Sequence, residues 1–326
     1  MTRPRIGFVG VGWIGRHRMA AMLATGAVDA AAIFEPSGEM RDAALAIAPA
    51  AAPVDSFEAL LDRGLDGVVI ASPSALHADQ SIRALEAGAA VFCQKPLGRS
   101  AAEARAVVDT AGRADRLLAV DFSYRFTEGM RQIRDLVRGG AIGKVYAVDL
   151  VFHNAYGPDK AWFYDKALSG GGCVMDLGVH LVDLAMWVLD FPAVSAVSAT
   201  LLSSGEKISN GSVEDYAAAS LTLGRRISVR LACSWRLPAG QDAVISAAFY
   251  GTDGGAALRN AGGSFFDFTA ERFAGTERTL LAGPPDDWGG RAAADWAIRL
   301  ANGARYDPDG EQLVAVAEVL DRIYAA

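Results

Sequence analysis

Cysteine is scarce in this chain, and runs of basic residues are missing. The three cysteines, Cys93, Cys173 and Cys233, show no CxxC spacing, which predicts neither a disulfide framework nor a structural zinc site. With a net charge of −7 and no Lys/Arg run, the protein is not expected to bind nucleic acid or an anionic membrane. No apolar run approaches the ~20 residues of a membrane span. The first strand is predicted to begin at Arg5, which leaves no room for a signal peptide and favours a cytoplasmic protein.

Apolar periodicity separates the chain into two predicted domains. Its 326 residues, 52% hydrophobic and 21% charged, suffice for two cores. Over residues 1–121, short apolar runs alternate with helical patterns, which predicts an α/β domain with a doubly wound parallel sheet. Residues 122–326 contain long strands of period two, which predicts a large, mostly antiparallel sheet with helices on one face. Its open face is expected to form a homodimer or homotetramer, and the last two helical patterns fit against either domain.

A glycine-rich motif lies between the first apolar run and a helical pattern. Its residues are Gly10, Gly12, Trp13, Ile14 and Gly15, which spell G-x-G-x-x-G. The first glycine permits a tight turn, the second lets a pyrophosphate approach the backbone, and the third allows close packing of helix on strand. The phosphates are then expected on the N–H groups at the start of the helix. Because the chain has 35 glycines, a plain glycine-rich turn is the alternative.

Glu35 ends the second predicted strand, 20 residues after the last glycine of the motif. A carboxylate at this position can accept hydrogen bonds from the adenosine ribose and repels a 2′-phosphate. Since Pro36 and Ser37 come next rather than an arginine, we predict NAD in preference to NADP, although Arg16 and Arg41 keep NADP open. A solvated acid at a strand end is the alternative for Glu35.

Polar residues follow the next predicted strand, residues 67–71. Ser72 and Pro73 lie at the carboxyl edge, where ligands bind in open α/β sheets. Ser74 is expected to cap the following helix. His77, in the first turn of that helix, either lines the cofactor site or only packs there.

Gln94, Lys95 and Pro96 end another predicted strand at the same edge. A lysine there can hydrogen-bond a substrate hydroxyl and exchange a proton with it, whereas an ordinary surface lysine does neither. Pro96 ends the strand ladder and fixes the backbone after the lysine. The next helix begins at a predicted capping box, Ser100 and Glu103.

A second constellation lies in residues 170–183, G-G-G-C-V-M-D-L-G-V-H-L-V-D. Asp176 and His180 are four residues apart, so on an α-helix they share a face, and Asp183 continues the same stripe. Polar groups on so apolar a helix are expected to be paired or functional. His180 is the candidate group for moving a hydroxyl proton, and Asp176 would orient it or bind substrate. A metal site and a structural polar network are the alternatives.

Polar and aromatic residues also lie between the predicted strand 146–152 and the glycine run. They are His153, Asn154, Tyr156 and Trp162. Amide and aromatic groups suit a polyhydroxylated substrate, so these residues are predicted to set specificity. Ordinary loop residues are the alternative.

These motifs together resemble the glucose–fructose oxidoreductase / inositol dehydrogenase / rhizopine-catabolism family (Gfo/Idh/MocA) over nearly the whole chain. The matching segments are G-x-G-x-x-G at Gly10–Gly15, A-S-P-S-x-x-H at Ala71–His77, K-P at Lys95–Pro96, Y-R-F at Tyr124–Phe126, G-x-I-G-K at Gly140–Lys144, and G-G-G-x-x-x-D-x-G-x-H at Gly170–His180.

The resemblance implies an NAD(P)-dependent oxidoreductase that acts on a CH–OH group of a sugar, polyol or inositol. Residues 1–121 would form a Rossmann domain, and residues 122–326 a substrate-binding and oligomerisation domain. Lys95 would be the catalytic lysine, and Asp176 and His180 would complete the proton-handling set. An enzyme that retains NAD and uses hydride transfer only transiently, as in some hydrolases and epimerases, is one alternative. A non-catalytic dinucleotide-binding regulator is the other.

The resemblance also implies the walls of the two binding sites. Ser72, Pro73 and His77 would line the cofactor site, and Tyr124 the substrate site. The family usually has glutamate before the lysine, and this chain has Gln94 instead. A glutamate there favours the ammonium form of the lysine, so Gln94 is expected to make the lysine easier to deprotonate. The Gln94 side chain can still hydrogen-bond a carboxamide or a ribose.

Overall fold

The computed structural model describes residues 2–208 and 211–326. The chain divides into two compact units. The first consists of the residues up to Asp121 together with Gly290–Val314, and the second of Phe122–Gly289 together with Ala315–Ala326.

The first unit is built on a six-stranded parallel sheet. Its strands are β1 (Arg5–Val9), β2 (Asp29–Phe34), β3 (Ala52–Val54), β4 (Gly67–Ile70), β5 (Ala90–Cys93) and β6 (Leu118–Val120). Its helices are α1 (Trp13–Ala24), α2 (Gly38–Ile47), α3 (Phe57–Leu61), α4 (His77–Glu86), α5 (Ala101–Ala114) and α9 (Arg291–Ala301). The strand order is β3-β2-β1-β4-β5-β6 and every pair is parallel, which confirms the doubly wound prediction. The order reverses between β1 and β4, where such sheets bind ligands.

Of the two predicted helix caps in this unit, the structure contradicts the one at Ser74 and confirms the one at Ser100 in part. Ser74 lies inside a 3-10 turn, Ser74–Leu76, and its side chain caps no helix. Ser100 does cap α5, because its hydroxyl accepts the N–H of Glu103 at 3.3 Å. The carboxylate of Glu103, however, accepts the N–H of Arg99 at 2.7 Å. The box is therefore closed one residue earlier than predicted, since the Arg99 side chain pairs with the same carboxylate.

The second unit contains a nine-stranded sheet with helices. The strands are β7 (Val145–Asn154), β8 (Val194–Ser203), β9 (Glu206–Lys207), β10 (Tyr216–Leu223), β11 (Ile227–Ser234), β12 (Ala243–Gly251), β13 (Gly254–Asn260), β14 (Phe268–Ala274) and β15 (Glu277–Ala282). The helices are α6 (Glu128–Arg138), α7 (Lys166–Ser169) and α8 (Val179–Val188), and the last helix, α10 (Glu311–Ala325), begins in the first unit and ends in the second.

The large sheet has the order β15-β14-β13-β12-β7-β11-β10-β8-β9. All of its pairs are antiparallel except β7 with β11, so the mostly antiparallel prediction is confirmed. Along β7, Val148, Leu150 and Phe152 are buried. Because side chains alternate along a strand, Asp149 and His153 belong to the opposite, open face.

The segment Lys166–Val188 differs from the sequence expectation. It is long and apolar enough to cross a membrane by length and composition, but 94% of its apolar stretch is buried inside the protein. That degree of burial is typical of a core helix in a globular unit.

Candidate active site

The glycine motif forms the turn from β1 into α1, and steric contacts account for two of its glycines. Gly10 has φ +75°, and a Cβ there would lie 2.5 Å from the carbonyl oxygen of Ala71. A Cβ on Gly15 would lie 2.1 Å from the carbonyl oxygen of Gly10. A Cβ on Gly12, in contrast, would meet nothing within 4 Å. This open space at the middle glycine is what a pyrophosphate needs in order to reach the backbone.

The first turn of α1 is suited to an anion. Its N-cap is Gly12, no side chain caps it, and its first turn carries no acidic residue. The first N–H groups of an α-helix have no acceptor within the helix itself and carry the positive end of the helix dipole. The residues present therefore fit a dinucleotide phosphate.

Glu35 is held against this loop. Its carboxylate accepts the N–H of Val11 at 2.8 Å and that of Ser37 at 3.0 Å. Arg16, the nearest candidate for a 2′-phosphate contact, donates instead to the carbonyl of Val11 at 3.1 Å. A fixed carboxylate beside the glycine loop suits ribose hydroxyls, as the sequence predicts.

His77 connects the ends of two strands. Its ring is 1% exposed, with Nδ1 2.6 Å from the carbonyl oxygen of Pro96 and Nε2 2.8 Å from that of Ser72. Burial lowers the pKa of His77, while the two carbonyl contacts oppose this effect. The hydroxyl of Ser72 donates to Gln80 at 2.6 Å. His77 thus fixes the backbone around Pro73 and Lys95–Pro96 from inside the unit.

The side chain of Gln94 has a partner that the sequence did not indicate. Its amide donates to the buried carboxylate of Asp121, which also accepts from Nε of Arg18 at 2.6 Å. One of the two N–H donors of the Gln94 amide is used in this way, which leaves the other N–H and the carbonyl oxygen for a carboxamide or a ribose. Lys95, the next residue, is half-buried and precedes a cis peptide bond to Pro96.

Asp176 lies on a π-helical turn, Val174–Gly178, that continues into α8. The predicted four-residue α-helical spacing to His180 therefore does not hold through this turn, because a π-helix has a wider repeat. The indole N–H of Trp235 donates to Oδ2 of Asp176 at 3.0 Å. A π-turn of this kind occurs often at functional sites.

His180 is 7% exposed and is surrounded by aromatic rings. The ring of Tyr124 packs edge-on against it at 4.9 Å, and that of Phe152 lies 6.4 Å away. Tyr124 is itself buried and also packs on Trp288 at 4.8 Å. Tyr124, a predicted substrate residue, therefore forms a wall that fixes the His180 imidazole.

Asp183 lies three residues after His180 on α8, as predicted, and forms an ion pair with Arg125. Its carboxylate is fully buried and accepts both Nε and Nη2 of Arg125, with Nε at 2.9 Å from Oδ2. Burial raises the pKa of Asp183 and the guanidinium opposes this shift. Breaking such a buried pair by removing one partner costs about 3–5 kcal/mol. Its role is structural, because Arg125 occupies the carboxylate.

The predicted substrate residues separate in space. His153 lies on the open face of the sheet, where Nδ1 is 2.7 Å from Oγ of Ser234 and the ring stacks on Tyr216 at 6.1 Å; burial lowers its pKa. Asn154, the next residue, is on the face of Phe152, where α8 packs. Its Oδ1 is buried without a hydrogen-bond partner among the described residues. Asn154 therefore lies on the face of the sheet that α8 covers, and His153 on the opposite face.

The aromatic loop after β7 contains the remaining candidates. Trp162 stacks on Phe163 at 3.8 Å, and Tyr164 packs edge-on against Trp235 at 5.5 Å. Tyr156 is 53% exposed. Through Trp235, this aromatic group is connected to the carboxylate of Asp176.

The sequence did not indicate the roles of two residues that bind the π-turn and the glycine run before it. Glu214 is buried and binds the glycine run, and Trp235 binds Asp176. An acidic residue directly before an apolar strand was the available signal for Glu214. Among residues 2–208 and 211–326, no group of three or more His, Cys, Asp or Glu side chains is placed to hold a metal ion.

Two family models match this chain. Residues 4–122 match a model described as an oxidoreductase family with an NAD-binding Rossmann fold, and residues 130–257 match the GFO/IDH/MocA C-terminal domain. The rhizopine catabolism protein MocA of Rhizobium meliloti is 30% identical over 275 residues, which are 80% of this chain and 84% of that protein.

Two further proteins are similar. The D-glucoside 3-dehydrogenase of Escherichia coli (strain K12) is 39% identical over 135 residues, 41% of this chain, and the match spans only 38% of that protein. A solved levoglucosan dehydrogenase, in complex with NADH and levoglucosan, has the same fold with a TM-score of 0.84 and 21% identity. That match covers 99% of this chain and 97% of the solved one.

Proposed function

Since this chain belongs to the Gfo/Idh/MocA family of oxidoreductases, we propose that it transfers a hydride between a nicotinamide dinucleotide and a hydroxyl-bearing carbon of a sugar, polyol or inositol. The observation that carries this proposal is the glycine turn, where the backbone at Gly12 is open to a ligand. In the same chain, Trp235 binds Asp176 and Tyr124 packs on His180. The names of its relatives, which include glucoside, levoglucosan and inositol dehydrogenases, support cyclic polyhydroxylated substrates. We place the enzyme in the cytoplasm.

Different residues of the chain bind the cofactor, move the proton and bind the substrate. The turn Gly10–Gly15 holds the pyrophosphate and Glu35 the ribose; when bound, the dinucleotide supplies the carbon that accepts or returns the hydride. Lys95, at the carboxyl edge of the parallel sheet, and His180, on α8, are the two candidates for the group that takes the proton of the reacting hydroxyl. Asp176, fixed by Trp235, accepts a hydrogen bond from a neighbouring substrate hydroxyl.

Asn154 supports a polyhydroxylated substrate. Its unpartnered, buried Oδ1 needs a donor, because an unsatisfied buried acceptor costs ~1–3 kcal/mol. A substrate hydroxyl supplies such a donor. The aromatic residues Tyr156 and Trp162 offer the apolar surfaces on which sugar rings pack.

A substrate screen tests the proposed function. Aldoses, glycosides, polyols and inositols are each incubated with the protein and NAD, and reduction is followed at the nicotinamide absorbance. We expect net reduction with at least one class. Tightly copurifying NAD with no net reduction on any class would favour the redox-neutral alternative and contradict the proposal.

The cofactor preference is assigned to Glu35. Glu35→Gln keeps an oxygen for the N–H of Val11 but removes the negative charge that repels a 2′-phosphate. We expect the efficiency with NADP relative to NAD to rise about tenfold. Steady-state kinetics with both cofactors measure this ratio, and Glu39→Gln, at an exposed acid in the first turn of α2, is the matched control. An unchanged ratio contradicts the assignment.

The open face of the large sheet is proposed as the surface on which a second copy of the chain packs. It contains a depression of about 560 Å³ lined mostly by small residues, among them Thr200, Ala218 and Ala232. Small side chains let two sheets approach closely. We expect light scattering to give a multiple of 34.2 kDa and Ala218→Arg to give the monomer mass. Thr279→Arg, on the exposed edge strand β15, is expected to leave the mass unchanged; a monomeric wild type contradicts the proposal.

A further inference from the structure

The buried carboxylate of Glu214 accepts hydrogen bonds from the backbone at the end of the glycine run. The carboxylate of Glu214, which is 1% exposed, accepts the N–H of Gly172 at 3.0 Å and that of Val174 at 2.8 Å. The backbone carbonyl of the same residue accepts the N–H of Cys173 at 2.9 Å. The backbone N–H groups of three successive residues therefore donate hydrogen bonds to one residue, Glu214.

The glycines of the run are explained by this contact. A Cβ on Gly172 would lie 1.9 Å from the carbonyl oxygen of Glu214, and a Cβ on Gly171 would lie 1.9 Å from the hydroxyl of Tyr324. A side chain at position 172 would push the run away from the backbone of Glu214, and one at position 171 would collide with the Tyr324 side chain. Gly172 thus permits a close approach of backbone to backbone, and Gly171 leaves room for the tyrosine.

The Glu214 carboxylate lies at the amino-terminal end of the π-turn that continues into α8. Negative charge is favoured at such an end because the first N–H groups have no acceptor within the helix. The hydroxyl of Tyr324 donates to Oε1 at 2.8 Å. Burial raises the pKa of Glu214, while its hydrogen bonds with Val174, Tyr324 and Gly172 oppose the shift. The carboxylate is therefore costly to bury and is held by three donors.

Asp215, the residue after Glu214, holds the hydrogen-bond partner of Asp176. The carbonyl of Asp215 accepts the N–H of Trp235 at 2.7 Å, and the indole of Trp235 donates to Asp176. The pair Glu214–Asp215 thus anchors both the start of the π-turn and the partner of its carboxylate.

We propose that Glu214 is a positioning residue for Asp176 and His180: its carboxylate sets the start of the π-turn and so the direction in which both side chains point. The inference rests on the proposed function, in which these two groups handle substrate. Glu214 itself touches neither substrate nor cofactor.

Glu214→Gln tests the inference, because it removes the charge and turns one acceptor oxygen into a donor that faces backbone N–H groups. We expect kcat to fall about 10- to 100-fold, as for a misplaced catalytic group, while the KM for NAD stays unchanged. We also expect faster hydrogen exchange in residues 170–188 only. Glu271→Gln, at an ion-paired strand carboxylate, is the matched control and is expected to change neither readout.

The two readouts separate the possible failures. An unchanged kcat together with unchanged exchange in residues 170–188 overturns the inference. If the wild type turns over no sugar or polyol, the proposed function fails, and the exchange measurement alone decides whether Glu214 fixes the π-turn. If Glu214→Gln does not fold, Tyr324→Phe removes only one of the three donors. For that variant we expect a fall in kcat of about three- to tenfold, and no fall overturns the inference.

Discussion

Lys95→Ala is expected to lower kcat about 10²- to 10⁴-fold, the range in which positioned proton donors and acceptors contribute. The lysine follows β5 at the carboxyl edge of the parallel sheet, and the backbone beside it is fixed by His77 through the carbonyl of Pro96. Alanine removes the ammonium group without disturbing the glycine turn or Glu35. Binding of NAD, measured by calorimetry, is therefore expected to stay near the wild-type value while steady-state turnover is lost.

Lys207→Ala provides the matched control for this loss, because Lys207 is an exposed lysine on the short strand β9. We expect wild-type kcat for that variant. Turnover near the wild-type rate with Lys95→Ala would remove the lysine from the chemistry. A parallel loss of NAD binding would assign it to the cofactor instead.

His180→Asn is expected to lower kcat about 10²- to 10³-fold. The imidazole is buried among Tyr124 and Phe152, and asparagine is small enough to occupy the same space, so the loss reflects the proton-moving group. The comparison with His153→Asn is decisive for the substrate site. His153 contacts Ser234 on the open face of the sheet, so its replacement is expected to leave the KM for sugar unchanged.

The opposite pattern of kinetic effects would contradict the proposed substrate site. A raised KM with His153→Asn and normal turnover with His180→Asn would mean that the substrate binds on the open face. Both variants are compared with wild type for folding by circular dichroism, so that a loss of turnover is read only from a folded protein.

Local chemistry made the dinucleotide turn predictable. Gly15 is required by its contact with Gly10, and this contact follows from a strand–turn–helix that spans few residues. Glu35 was predictable for the same reason, because its distance from the turn is set by one helix and one strand. The parallel sheet followed from alternating strand and helix patterns.

The remaining features of the site depend on partners that are far apart in the sequence. Asp183 fitted the helical stripe, but its partner Arg125 lies 58 residues away in sequence, and no local pattern pairs them. His153 and Asn154 are neighbours on one strand, so their separation depends on which face is covered by α8. The apolar alternation of β7 indicates which face is covered, but which helix covers it depends on the topology of the whole sheet. Glu214 was missed because its donors lie 40 and 42 residues earlier.

The parallel pairing of β7 with β11 has a consequence for how the second unit is made. β7 is an inner strand, yet its partner on one side begins at Ile227 and its partner on the other at Ala243, and Asp149 meets Arg230 across 81 residues. During synthesis, both edges of β7 stay unpaired until these later segments emerge, and contacts of such long sequence separation form slowly. An apolar strand with two open edges is also a template for pairing between chains. Yield of this protein is therefore expected to depend on synthesis temperature and chaperone supply more than on the stability of the finished sheet.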